Sequence, residues 1–205
     1  MKLVQTQLFR QTGIDVSHLP VVTFRANDTI EQEGSVSTYV GVIIEGTVVI
    51  QTYTVQGTPI VISTLTEGME YGDVLIYGTK QHVYPGNVVA KGPTTIAMIP
   101  NDRVQEFVRM NPTFSHNFLT ILSDKVLTGT MTSKLLSQDT IRDKILYYLA
   151  QERIHQKSNV IELGMTKEDW AKILHVTRPS LSRELIHMKQ EGLLDYTRQT
   201  ITLLQ

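Results

Sequence analysis

MTKEDWAKILHVTRPSLSRELIHMKQEGL, residues 165–193, reads as two short helices with a tight break between them. Thr166 can cap the first with its hydroxyl, and Asp169 three residues on makes a weaker form of the capping box. Trp170, Ile173 and Leu174 give that helix an apolar stripe at helical spacing. The break falls at His175-Val176, and Thr177 is the second cap. Pro179 then sits in the first helical turn, where a missing N–H costs little. Leu181, Leu185 and Met188 form a buried face at i, i+4, i+7, with Arg178, Ser180, Ser182 and Arg183 outside it. Gly192 ends the helix.

Two such helices make a helix-turn-helix, whose second helix places its first turns in the DNA major groove. There Arg178 and Arg183 can bond guanine O6 and N7, and Thr177, Ser180 and Ser182 can reach bases or phosphates. An ordinary helical hairpin in a core, its arginines simply solvated, fits the same spacing.

Composition narrows the classes. The 205 residues, 41% hydrophobic, can bury one large core or two modest ones. Absent cysteine removes disulfides, iron–sulfur clusters and thiolate zinc sites. The opening MKLVQTQLFRQTG lacks the apolar core of a secretory leader, and no window approaches a membrane span, so a cytoplasmic protein without membrane contact is expected. The formal charge is −1; from Ser137 onward, ten Lys and Arg face nine Asp and Glu. A DNA reading therefore rests on where a few cations sit, not on bulk charge. No nucleophile–base pair, metal-ligand spacing or phosphate loop stands out, so an enzyme is not expected.

The first hundred residues carry short β-type runs, TYVGVIIEGTVVIQTYTV, TPIVISTL, GNVVA and TTIAMIP, punctuated by glycines at the spacing of an all-β barrel or sandwich. Apolar residues fall on both faces of 40–50, which suits a closed roll better than an open sheet. Tyr71, Tyr77 and Tyr84 either line a pocket or pack the roll.

Beyond Pro112 the chain turns helical. Phe114, Phe118, Ile121, Leu122 and Val126 form a wide stripe, and Leu119, Leu122, Val126, Gly129, Ser133 and Leu136 read as a two-stranded seam. The stripe could equally cover the roll of its own chain. A break at Ser137-Gln138-Asp139 follows, with Asp139 capping a helix whose Ile141, Ile145, Leu146 and Leu149 point inward. A short strand, Val160 to Leu163, then the two helices and a terminal hairpin give a winged-helix order.

The run VTRPSLSRELIHMKQEGLLDY, followed by TRQTITLL, resembles the DNA-reading segment and wing of the Crp/Fnr family of bacterial transcription regulators. GVIIEGTVVI and GMEYGDV resemble the hairpin and turn of the family's cyclic-nucleotide-binding β-roll. The fold this implies is α+β: an N-terminal double-stranded β-roll, effector-sensing, over 1–110; a long dimerisation helix over 111–137; and a C-terminal winged helix-turn-helix over 138–205. The resemblance implies a homodimer bound to double-stranded DNA at a near-palindromic operator, with RNA polymerase as a further partner.

By position it assigns base or phosphate contacts to Arg178 and Arg183, and a backbone contact to Ser180. Pro179 stands where the catabolite activator has a Glu that accepts from cytosine, so the half-site should differ at that base pair. Gly72-Asp73 is a shortened form of the family's Gly-Glu pair, or a plain tight turn. The family's phosphate-clamping Arg-Ser falls near Tyr84-Pro85, and the nearest cations, Lys80 and Lys91, lack a fork. An effector other than cAMP is therefore expected, with Gly72, Asp73, Tyr84, Thr128 and Thr132 as its candidate contacts. Some members hold haem through a histidine near this point, which makes His82 a haem candidate by resemblance alone; it reads also as a plain surface residue. A sensor or adaptor that does not bind DNA, using the same roll and helices for protein contacts, is the other reading that the near-neutral charge allows.

Overall fold

The computed structural model describes residues 2–79 and 82–204. The chain forms two compact units that divide between Lys125 and Val126.

In the first unit eight strands pair into two antiparallel four-stranded sheets. β1 (Val21–Phe24), β8 (Thr94–Pro100), β3 (Tyr39–Glu45) and β6 (Glu70–Tyr71) make one, in that order; β2 (Thr29–Glu31), β7 (Asn87–Ala90), β4 (Thr47–Tyr53) and β5 (Pro59–Thr66) make the other. The two-sided apolar character of β3 has a direct cause. Val40 and Val42 pack with Ala97 and Ile99 into a core that also holds Val104, Phe107, Phe114, Phe118 and Ile121. Ile43 and Ile96 instead join Val48, Leu65, Tyr71, Tyr84 and Val88 between the sheets. Fully burying each Val, Leu, Ile or Phe side chain among them contributes roughly 1.5–3 kcal/mol. Leu8 and Phe9 of the N-terminal segment are buried in the first of these cores.

Helix begins earlier than the sequence suggests. α1 (Asn101–Met110) precedes α2 (Pro112–Leu136), and Val104 and Phe107, at i and i+3, are its buried pair. Asn111 separates the two and its Oδ1 accepts from the N–H of Phe114. The apolar stripe of α2 divides: Phe114, Phe118 and Ile121 are buried in the roll's core, whereas Leu119 and Val126 remain 60% and 68% exposed.

The second unit contains α3 (Ile141–Gln156), β9 (Val160–Glu162), α4 (Lys167–Ile173), α5 (Arg178–Gln190), β10 (Leu194–Tyr196) and β11 (Thr200–Leu203). Its sheet runs β10-β11-β9. Three expectations are corrected here. The cap of α3 is Thr140, not Asp139, because Thr140 Oγ1 accepts from the N–H of Asp143 and donates to the Asp143 carboxylate. On α3, Ile145 and Leu149 are buried but Leu146 points outward, 40% exposed. On α4, Trp170, Ala171 and Leu174 take the core face, and Ile173, about 60° off that face by helical periodicity, is 41% exposed. Among the described residues no helix is long and apolar enough to cross a membrane.

Candidate nucleic-acid interface

Both helices of the helix-turn-helix start on a threonine cap. Thr166 Oγ1 accepts from the N–H of Asp169 and donates to the Asp169 carboxylate at 2.6 Å. That hydroxyl bond, chiefly, holds the Asp169 carboxyl below its usual range. The turn passes through His175 in the left-handed region, φ 52°. Thr177 Oγ1 then accepts from the N–H of Ser180, and Pro179 occupies the first turn. Leu181, Leu185 and Met188 are fully buried, as their spacing predicts.

The end of α5 explains how the wing is aimed. Gly192, at φ 73°, lets its N–H reach the Lys189 carbonyl while the Leu193 N–H reaches the Met188 carbonyl. These two bonds make a Schellman motif. Arg142 ties α3 to α5: its Nε donates to Glu184 at 2.6 Å, and its two terminal nitrogens each donate to Glu191 at 2.8 Å. The Glu191 and Glu184 bonds, in that order, raise the Arg142 pKa.

Arg178, Thr177 and Arg183 are exposed, and Ser180 and Ser182 are half-buried, all at the start of α5. The Ser180 hydroxyl receives Thr177 Oγ1 at 2.9 Å and Arg183 Nη2 at 3.4 Å. Arg183 thus leans toward the helix N-terminus, where the unpaired N–H groups already favour an anion.

Two cations that sequence reasoning missed stand beside Arg178. Lys167 opens α4 and Arg198 sits in the turn between β10 and β11; with Arg178 they line one cleft of about 1070 Å³, which Glu162 and Glu168 also line. Burial first, and the neighbouring Arg178 second, push the Lys167 pKa down. Its ammonium lies 4.2 Å from the centroid of the Tyr196 ring, with Lys189 5.6 Å from the same ring. A cation at each helix start and one in a tight TRQT turn was the available signal.

In the roll, Gly72 has φ 80° and begins a single 3-10 turn, Asp73–Leu75. A Cβ there would stand 2.8 Å from the Tyr39 carbonyl oxygen, so the position suits glycine alone. Asp73 is 1% exposed, and both its oxygens accept from Lys125 Nζ, at 2.8 and 2.9 Å. The same ammonium is 2.9 Å from Glu70 Oε1 and donates to the Glu70 carbonyl at 2.9 Å. Burial pushes the Glu70 carboxyl up, and Lys125 opposes it.

Tyr71 and Tyr84, each 2% exposed, pack between the sheets, while Tyr77 is 52% exposed. Burial pushes the Tyr84 phenol up to about 12. The Tyr39 hydroxyl donates to Glu31. Thr128 is exposed and Thr132 half-buried; both lie in the second unit. His82 is exposed and its Nδ1 meets the Leu75 carbonyl. Lys91 is exposed, and Lys80 lies outside the described residues. Among the described residues no group of three or more His, Asp or Glu could hold a metal.

Two family models match: a cyclic nucleotide-binding domain over residues 21–111 and a Crp-like helix-turn-helix domain over residues 144–205. Among solved structures, the catabolite activator protein of Thermus thermophilus is similar at a TM-score of 0.56 and 17% identity, covering 97% of this chain and 93% of that one. A CooA mutant from Carboxydothermus hydrogenoformans is similar at 0.63 and 18%, covering 100% and 94%. FixK2 from Bradyrhizobium japonicum gives 0.55 and 15%, covering 91% and 93%. At these identities the likeness is one of fold. No curated protein matches the sequence.

Proposed function

Because this chain belongs to the Crp/Fnr family by both of its domains, we propose that it is a homodimeric, sequence-specific DNA-binding transcription regulator of the cytoplasm, without catalytic activity. The observation that carries this reading is the exposed pair Arg178 and Arg183 at the capped mouth of α5. Inserted in the major groove, that pair reads base edges, while Lys167 and Arg198, from α4 and the wing turn, neutralise flanking phosphates. Two copies present two such helices about one DNA turn apart and so read a near-palindrome. Pro179 supplies no acceptor, so discrimination at its base pair comes from shape and apolar contact.

The effector is a small molecule other than cAMP. Support comes from Asp73, whose oxygens are taken by Lys125, and from the buried Tyr84 where the family's phosphate clamp would stand. The effector acts by binding one arrangement of the two DNA-reading heads better than the other, and shifts it by no more than that difference in affinity. RNA polymerase is the expected downstream partner.

Selection of binding sites from a random duplex pool tests the reading. Enrichment of a two-fold-symmetric site, whose affinity falls steeply with salt, is expected. An unenriched pool would favour the adaptor reading, to which the formal charge of −1 lends its support.

A further inference from the structure

Helix α3 carries more apolar side chains than its own core takes. Ile145 and Leu149 are fully buried, but Leu146 and Ile154 stay 40% and 72% exposed. Leu146, Ala150, Arg153 and Ile154 follow i, i+4, i+7, i+8 and so share a second face. Leu193 and Leu203, both half-buried, stand opposite, and together these residues wall a groove of about 960 Å³. Lys157, Ser158 and Asn159 also line it.

The groove is graded along its length. Leu146 to Lys157 spans eleven residues, roughly 16 Å at helical rise. The Leu146–Ala150 end is aliphatic; Arg153 and Lys157 make the other end cationic. Neither cation forms an ion pair among the described residues, and no carboxylate lines the groove. Glu152 sits on the opposite side of the helix, accepting from Gln156. No aromatic ring lines the walls, so a nucleobase would find nothing to stack on. The volume and the mainly apolar lining with a few polar groups suit a small molecule.

We infer that this groove binds a free amphiphile: an aliphatic chain along Leu146, Ala150, Ile154, Leu193 and Leu203, ending in a carboxylate at Arg153 and Lys157.

Calorimetry of the full chain with sodium laurate, kept below its micelle-forming concentration, tests this without DNA. Saturation at one laurate per chain is expected, with no saturable binding of acetate or of dodecyltrimethylammonium. The pair Arg153→Gln, Lys157→Gln should weaken laurate binding by about tenfold, equivalent to about 1.4 kcal/mol. Ile154→Ser should weaken it as well. All three positions are exposed, so the thermal melts of the variants should match the parent. Absent saturation, equal binding of the cationic amphiphile, or laurate affinity indifferent to the charge pair or to Ile154→Ser would each overturn the assignment.

Discussion

Nζ of Lys125 lies 2.8 Å from one carboxylate oxygen of Asp73 and 2.9 Å from the other, and it also reaches Glu70. One ammonium thus serves two carboxylates that are 1% and 5% exposed. Removing it strands buried charge, which is costlier than never having built the pair. Lys125→Met is expected to lose about 3 kcal/mol in urea unfolding at neutral pH. Glu70 already has its pKa raised by burial, so its proton is held more tightly folded than unfolded. The lost stability should therefore return in part as pH falls through the folded value of Glu70. A loss that stays the same from neutral pH down to the onset of acid unfolding would mean that Glu70 is not the stranded group.

Asp73, 1% exposed and with both oxygens already accepting from Lys125, is poorly placed to accept from a ribose. Millimolar cAMP is expected to leave the thermal midpoint unchanged. Ligand at a hundred times its Kd would add about 2.7 kcal/mol, which a melt reads easily. A rise of several degrees would return Gly72-Asp73 to the role of a nucleotide-binding turn.

The cations of the head should separate by type. Arg183→Ala and Arg178→Ala are each expected to lose about 1–3 kcal/mol on the selected site and to relax specificity at one base pair. Lys167→Ala and Arg198→Ala should weaken binding to every sequence alike and lower the salt slope by about one each. Anisotropy titrations across a salt series distinguish the two patterns, and Arg183→Ala with undiminished site preference would remove it from base reading.

Acid should open the winged-helix unit. A Thr166 hydroxyl bond lowers Asp169 from its ordinary 3.8, Arg142 lowers Glu191 from 4.5, and Lys189 lowers Asp195 from 3.8. Depressed folded values mean stability that is in place above those ordinary values and is lost as pH falls through the lower ones. Trp170 is the chain's one tryptophan and is fully buried in this unit, so its emission reports the event. Arg142→Met should make that acid transition shallower; an unaltered profile would show that Arg142 plays no part in it.

Much of the head was legible because its signals are local. Thr166, Thr177 and Gly192 act within a few residues of themselves, and Leu181, Leu185 and Met188 repeat at the helical period. The misreadings share a cause. Asp139 and Thr140 are adjacent cap formers, and only the partner at Asp143 decides between them. Ile173 and Leu146 are apolar residues at the margin of a stripe, and what packs opposite, not periodicity, sets their side. Lys125 was invisible for a stronger reason: its partners are 52 and 55 residues away in sequence, and only the tertiary fold brings them together. The start of α1 was missed because Pro100 ends a strand and opens a helix at once. In the interface, Arg178 and Arg183 announce themselves outside the apolar stripe of one helix, but Lys167 and Arg198 join Arg178 only through the folding of the wing.

Helix α2 is continuous, yet its residues differ in what sustains them. Phe114, Phe118 and Ile121 are anchored in the roll, and Leu135 in the head. Between Lys125 and Leu135, Val126, Leu127 and Met131 are at least half exposed, and Gly129 weakens helix further. Nine residues without a packed face are marginal as helix in water. Amide hydrogens there should exchange with deuterium far faster in dilute monomer than at concentrations where a second chain covers them. The middle of this rod would then acquire its order only when two molecules meet, which makes the abundance of the protein itself one of the inputs it can sense.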